Sequence, residues 1–70
     1  MFNRYELKVS YKGKNLFTGA FMSLNKAIKC ACFFDEDCVF YMYDYLNEKS
    51  FTTSIIWNLI KEFKNGEIYI

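Results

Sequence analysis

Histidine and proline are both absent from this chain, and glycine occurs only three times in its 70 residues. Without histidine, the chain lacks the side chain most often used for proton transfer near neutral pH. It also has no glycine-rich phosphate loop and no recognised nucleophile motif. We therefore predict a protein that is not an enzyme, with no catalytic residues and no cofactor.

The absence of proline and of any low-complexity run leaves no stretch with the composition of a linker. The sequence therefore predicts one domain over residues 1–70, a length at which a hydrophobic core only just offsets chain entropy. Hydrophobic residues make up 53% of the chain and aromatic residues 21%. The chain has ample material for a core, and more apolar surface than so small a domain can easily bury.

Cysteine occurs three times, an odd number, at Cys30, Cys32 and Cys38. Charges at Arg4 and Glu6, and the lack of an apolar run of about 20 residues, predict neither a secretory segment nor a membrane span. We expect a cytoplasmic protein whose cysteines are free thiols in the core. Residues two apart on a helix point about 200° apart, so the thiols do not form a ligand set and we expect no metal site.

Charge is balanced overall, at +1, but unevenly distributed. Residues 1–34 carry six basic residues and one acidic residue, whereas residues 35–70 carry seven acidic and three basic residues. Five lysines are candidate contacts for nucleic acid or for an acidic partner: Lys8, Lys12, Lys14, Lys26 and Lys29. The alternative is that these lysines are simply solvent-exposed and bind nothing. A net charge of +1 favours it, because it is small for a protein that binds the phosphates of a nucleic acid.

A hairpin is predicted at the start of the chain. Residues 4–12 alternate between apolar and polar side chains, Gly13 supplies turn chemistry, and residues 16–22 can return as the antiparallel arm. A three-residue loop would turn Phe17 and Phe21 inward, whereas a two-residue loop would leave them on the polar face. Because burying both rings is worth several kcal/mol, we predict the three-residue loop. Two apolar side chains would then face outward, Leu16 and Met22.

Two helices are predicted from apolar residues at helical spacing. Ser23 can cap the first helix. Its predicted inner face is Leu24, Ala27, Ile28, Ala31 and Phe34, and its polar side is Asn25, Lys26 and Lys29. The stripe of the second helix is Ile55, Ile56, Leu59, Ile60 and Phe63, and Gly66 follows where a C-cap needs positive φ.

Residues 38–46 are predicted to form a long central strand, because both of its faces are largely apolar. A short return strand is predicted over residues 51–54, and a terminal strand or tail over residues 67–70. The order ββαβ(β)αβ predicts an α+β fold, in which a small antiparallel sheet of four or five strands packs with two helices.

Three tyrosines share one face of the predicted central strand: Tyr41, Tyr43 and Tyr45. If both helices lie on the other side of the sheet, the rings are exposed, and tyrosine is a favoured anchor at interfaces because it combines area with a polar tip. If the helices lie on both sides, the rings belong to the core. If the rings are exposed, the candidate partner-binding residues are these three tyrosines, with Asp44 and Glu48 as charges at the rim. Trp57, which lies beside the apolar stripe of the second helix, is a further candidate.

The junction Ser23-Leu24-Asn25-Lys26-Ala27-Ile28-Lys29 directly follows a predicted strand. It resembles the strand-to-helix junction Ser-Leu-x-x-Ala, with a base after it, of many small α+β proteins that include some phage anti-CRISPR inhibitors. The resemblance covers the layout of residues 5–54 and matches Ser23, Leu24, Ala27 and the following base. The second helix and the tyrosines depart from that layout, so no functional residue is carried over.

Inhibitors of that kind act without catalysis, as compact proteins that occupy a nucleic-acid channel or lock a subunit. The resemblance therefore implies a phage-type inhibitor that binds a protein partner, a CRISPR-Cas-like effector of the host's antiviral defence. One alternative is a small nucleic-acid-binding or regulatory module that uses the lysines and aromatic residues. The other is a homo-oligomeric structural protein, such as a homodimer, that covers its surplus apolar surface by self-association.

Overall fold

The computed structural model describes residues 3–66, whose elements form a ββα unit that occurs twice. The elements are β1 (Tyr5–Tyr11), β2 (Lys14–Phe21), α1 (Leu24–Ala31), β3 (Val39–Asp44), β4 (Lys49–Phe51) and α2 (Thr53–Lys64). The strands form one antiparallel sheet in the order β2-β1-β3-β4. The predicted α+β class, with an antiparallel sheet and two helices, is confirmed. The predicted terminal strand over residues 67–70 lies outside the described residues.

A two-residue turn closes the β1–β2 hairpin, so the predicted three-residue loop is wrong. Lys12 and Gly13 both have positive φ, 48° and 80°. A type I′ turn requires this combination, which matches the right-handed twist of paired strands. Tyr11 consequently pairs with Lys14 across the turn.

A bulge in β2 produces the register that the three-residue loop would have given. Leu16 is the extra residue, and beyond it Val9 pairs with Phe17; an inserted residue of this kind changes the face of every residue that follows. Phe17 and Phe21 therefore pack against the core, while Leu16 and Met22 stay 51% and 50% exposed. The predicted inward orientation of both rings is confirmed.

Asn15 holds the bulge with its side-chain amide. With the amide oriented to satisfy both of its ends, the nitrogen donates to the carbonyls of Val9 and Phe17, at 3.2 and 3.1 Å. The oxygen then accepts from the Thr18 hydroxyl at 3.1 Å. The amide ties β1 to β2 at the point where the ladder between them is irregular.

Helix α1 begins where the sequence predicts, because Ser23 caps it. Ser23 has extended backbone, and its Oγ accepts a hydrogen bond from the backbone N–H of Lys26 at 3.3 Å, which satisfies one of the helix's free donors. The fully buried residues of α1 are those that the helical spacing predicts: Ala27, Ile28 and Ala31.

The prediction that Asn25 lies on a solvent-facing side of α1 is wrong. It is only 5% exposed, and neither polar atom of its side chain has a hydrogen-bond partner among residues 3–66. It lines a cavity of about 260 Å³ together with Lys26, Lys29 and Phe63, the last of these from α2. A buried amide without partners costs about 1–3 kcal/mol of stability.

Replacing Asn25 by leucine is expected to raise the free energy of unfolding by about 1 kcal/mol, because the change removes unpaired polar atoms from a buried site. Urea denaturation followed by the fluorescence of Trp57 measures the effect. Asn58→Leu, at an exposed position of α2, makes the same chemical change without removing a buried amide and should be close to neutral. A less stable Asn25→Leu protein would contradict the interpretation.

The second half of the chain departs from the predicted boundaries. β3 spans Val39–Asp44 rather than residues 38–46, and β4 spans Lys49–Phe51 rather than residues 51–54. α2 begins at Thr53, inside the predicted return strand. The Thr53 hydroxyl accepts from the backbone N–H of Phe40 at 3.1 Å and donates to the carbonyl of Phe40 at 2.9 Å. One side chain thus satisfies the backbone groups that a longer β4 would have paired, so α2 can begin there.

Both helices pack on the same side of the sheet. α1 contacts β1 and β2, α2 contacts β3, and the helices contact each other. A single core lies between the two layers: Tyr5, Leu7, Val9, Ala27, Ile28, Ala31, Cys38, Phe40, Met42, Ile56 and Ile60. No element of residues 3–66 covers the other side of the sheet.

Within the described ranges, the longer helix is α2, with 12 residues. Neither helix there has the length and hydropathy needed to cross a membrane.

Candidate binding face

The uncovered side of the sheet, here called the open face, carries side chains from all four strands. Successive residues of a strand point to opposite sides, and Leu7, Val9, Phe40 and Met42 are buried on the helical side. The open face therefore consists of Glu6, Lys8 and Ser10 from β1, Thr18 and Ala20 from β2, Val39, Tyr41 and Tyr43 from β3, and Ser50 from β4.

Three tyrosines lie together at this face. Tyr41 and Tyr45 are 41% and 47% exposed, and Tyr43 between them is half-buried. The rings of Tyr43 and Tyr45 meet edge to face, with centres 4.8 Å apart and planes at 74°, which is a favoured geometry for aromatic pairs. The interpretation in which helices cover these rings does not hold for the described part of the chain. Their role in binding stays a prediction.

Hydrogen bonds hold two of the three hydroxyl groups. The Tyr45 hydroxyl donates to Oε1 of Glu6 at 2.7 Å, and the hydroxyls of Tyr41 and Ser50 share a hydrogen bond of 3.0 Å. The bond to the Glu6 carboxylate raises the pKa of Tyr45, because it favours the protonated phenol. The rings are thereby ordered before any partner arrives, which lowers the entropy lost on binding.

The open face carries two formal charges of opposite sign. Glu6 lies opposite Tyr43 and Lys8 lies opposite Tyr41 across the β1–β3 pairing. Val39, at the start of the same strand, is 55% exposed. An aromatic and aliphatic surface with little net charge is typical of the central part of a protein interface.

The predicted role of Asp44 as a rim charge is wrong. Asp44 is 2% exposed on the helical side of β3. Nε and Nη2 of Arg4 donate to its two carboxylate oxygens at 2.9 and 3.0 Å. The backbone N–H groups of Leu46 and Asn47 donate to Oδ1 at 3.0 and 3.3 Å. Asp44 therefore ties the turn after β3 to the residue that precedes β1.

The Arg4–Asp44 pair is expected to make stability depend on pH in the acid range. The hydrogen bond from Arg4, aided by the two backbone N–H groups, lowers the pKa of Asp44 from its usual value near 3.8 to about 2. The pKa of Asp44 is lower in the folded protein than in the unfolded chain. The stability that the pair adds is therefore complete above the unfolded pKa and is lost as the pH falls from about 4 through 2.

Thermal or urea denaturation between pH 7 and pH 2 measures this dependence. Asp44→Asn should be less stable than the native protein at pH 7, and the gap between the two should narrow as the pH falls below about 4. Asp37→Asn, at an exposed loop position, is the control and should follow the native curve. A constant gap between native and Asp44→Asn proteins over this range would show that the pair does not cause the dependence.

Glu48 and Trp57, the other two predicted partner-binding residues, lie in different parts of the fold. Glu48 is exposed in the turn between β3 and β4, with a positive φ of 52°. Trp57 is half-buried in α2, against the core, with Nζ of Lys61 5.9 Å from its ring centre. The structure therefore places Trp57 in the helical layer, on the opposite side of the sheet from the open face.

The five candidate lysines do not form one basic surface. Lys8 lies on the open face, and Lys12 and Lys14 lie at the hairpin turn. Lys26 and Lys29 lie on α1, in the helical layer. A nucleic-acid strand bound across the open face would meet Lys8 without reaching the lysines of α1.

The cysteines are free thiols in the structure. Cys38 is buried, and Cys30 and Cys32 are half-buried. Burial raises the pKa of Cys30 and of Cys32, which lowers the fraction of reactive thiolate. Residues 3–66 contain no group of three or more side chains placed to hold a metal ion. The absence of a bound metal stays a prediction.

Glu6 and Ser50 are hydrogen-bonded to the tyrosines, and the sequence singles out neither of them. Alternation in β1 already places Glu6 on the polar side of its strand. Its position beside the tyrosines depends on the pairing of β1 with β3, and that of Ser50 depends on the pairing of β3 with β4. No local pattern encodes these two registers.

A scan against protein-family models finds no matching family, and searches of curated proteins and of solved structures find no match.

Proposed function

We propose that this protein is a non-enzymatic binding protein that recognises a protein partner through its open face. One observation carries the proposal: three tyrosines lie on a side of the sheet that no element of residues 3–66 covers. Two of their hydroxyls are already held by neighbouring side chains. Ordered aromatic rings of this kind are frequent anchors at protein interfaces.

The charge of the open face favours a protein over a nucleic acid. Proteins that bind single strands combine stacking aromatic rings with a positively charged groove. On this face Glu6 offsets Lys8, and the two are adjacent to Tyr43 and Tyr41 respectively. The position of Lys8 opposite Tyr41 is the observation that keeps a single-stranded nucleic acid as the second candidate.

The resemblance of residues 23–29 to the junction in phage anti-CRISPR inhibitors supports one class of partner. We propose a CRISPR-Cas-like effector of the host's antiviral defence, which the protein blocks by occupying a working surface. This action needs no catalytic group. It also fits a protein of the host cell cytoplasm, where cysteines remain reduced.

Purified CRISPR-Cas effector complexes of several types provide the test. Each is assayed for cleavage of its target DNA with increasing amounts of this protein, and binding is measured in parallel by interferometry. We expect one complex to lose activity at near-stoichiometric amounts of the protein. Fluorescence polarisation with single-stranded DNA and RNA at several salt concentrations tests the second candidate, which requires affinity that falls steeply with salt. Nucleic-acid binding of that kind without effector binding would contradict the proposal.

A further inference from the structure

A second feature of the surface lies at the opposite end of β3 from Tyr45. A cleft of about 210 Å³ separates the turn of the β1–β2 hairpin from the loop that joins α1 to β3. We call it the hairpin-end cleft. Its lining residues are Tyr11, Leu16, Phe33, Phe34, Asp35 and Cys38.

Three large apolar side chains at this cleft are exposed. Phe33 is 83% exposed, more than any other large hydrophobic residue of the described part, and Leu16 and Tyr11 are 51% and 36% exposed. Single exposed apolar residues are common on soluble proteins. Three of them around one concavity form a continuous patch, and patches of this kind mark interaction sites.

The two walls of the cleft carry opposite charges. Lys12 and Lys14 flank the hairpin wall at its turn: Lys14 pairs with Tyr11, a lining residue, and Nζ of Lys12 is 5.3 Å from the ring centre of Tyr11. On the loop wall Asp35 lines the cleft, and Glu36 and Asp37 follow it in the loop; all three are exposed. Within residues 3–66 the only ion pair is that between Arg4 and Asp44. The charges of the two walls are therefore available to a partner.

We propose that the hairpin-end cleft is the interface of a symmetric homodimer. A twofold axis sets the same patch of both copies face to face, so that the lysine wall of each copy meets the acidic wall of the other. Phe33 of one copy then enters the cleft of its partner beside Leu16 and Tyr11. A partner of uniform charge would be attracted by one wall and repelled by the other, whereas a second copy is complementary to both. The proposal is independent of the open face.

Sedimentation of the full chain between about 1 µM and 1 mM tests for self-association over the range in which weak dimers dissociate. The mean mass should rise from the 8.4 kDa of one chain toward twice that value. Phe33→Ser should weaken the dimer about 30-fold or more, as loss of a central aromatic anchor does. The matched control is Leu46→Ser, which changes a 63%-exposed residue in the turn after β3 and should leave the dimer intact. A monomer at every concentration would overturn the proposal.

A charge exchange tests the pairing of the walls. Lys12→Glu with Lys14→Glu makes both walls acidic, and Asp35→Lys with Asp37→Lys makes both walls basic. Each double variant should be monomeric alone, and an equimolar mixture should form a heterodimer, because each wall then meets its opposite. All four positions are exposed, and circular dichroism verifies the fold of each variant. Double variants that dimerise as well as the native chain, or a mixture that stays monomeric, would exclude this arrangement.

Discussion

Phe40→Ala is expected to lower the free energy of unfolding by about 3–5 kcal/mol, the cost of truncating a buried phenylalanine. Phe40 is 1% exposed in a central strand, and it is among the largest fully buried side chains. At roughly 0.05–0.15 kcal/mol per residue, a domain of this length has about 4–10 kcal/mol of total stability. The variant should therefore lose between about a third of its stability and all of it.

Tyr41→Ala is the matched control, because Tyr41 is the next residue of β3 and lies on the open face. It is 41% exposed and shares one exposed hydrogen bond with Ser50, so the expected loss is below about 1 kcal/mol. Urea denaturation monitored by circular dichroism and by Trp57 fluorescence compares the two variants. Similar losses for Phe40→Ala and Tyr41→Ala would show that both sides of β3 are buried, which contradicts the packing of both helices on one side of the sheet.

Residue patterns predict much of this architecture. Alternation in β1 and helical spacing in α1 and α2 identify most of the buried residues, among them Leu7, Ile28 and Ile56. Ile55, which belongs to the predicted stripe of the second helix, is instead 46% exposed. The hairpin shows a limit of this reasoning. A three-residue loop and a two-residue turn followed by a bulge at Leu16 give the same register. The free energy of burying Phe17 and Phe21 selects this register, but it is the same for both loop conformations and so does not distinguish them.

Two polar residues show where pattern alone fails. Asp44 has the same parity as the inner-face residues Phe40 and Met42, but from the sequence we predict it as a rim charge beside the tyrosines. Its burial depends on Arg4, 40 residues away in the chain. The burial of Asn25 likewise depends on how α1 and α2 pack. Neither contact leaves a local signal in the sequence.

The candidate site likewise combines features that the sequence predicts with features that depend on long-range packing. The parity of Tyr41 and Tyr43 follows from the sequence, but the choice between surface and core depends on which side of the sheet the helices occupy. The position of Trp57 on the helical side follows from the same fact. The supporting contacts of Glu6 and Ser50 with the tyrosines come from strand pairing at separations of 39 and 9 residues.

Tyr43→Ala is expected to weaken binding to the effector that the native protein inhibits by about 30-fold or more, the effect of losing a central aromatic anchor. Tyr43 lies in a central strand, and its ring contacts that of Tyr45 at 4.8 Å. The loss of this contact should lower stability by only about 0.5–1.5 kcal/mol. Binding should therefore be affected far more than folding.

Interferometry and urea denaturation of the same preparations separate the two effects. Tyr43→Phe keeps the ring and should keep most of the affinity, whereas Glu48→Ala, in the exposed turn, should alter only the salt dependence of association. Comparable affinity of Tyr43→Ala and native protein would remove the open face as the binding surface. In that case the basic hairpin at Lys12 and Lys14, which are both exposed, becomes the surface to test.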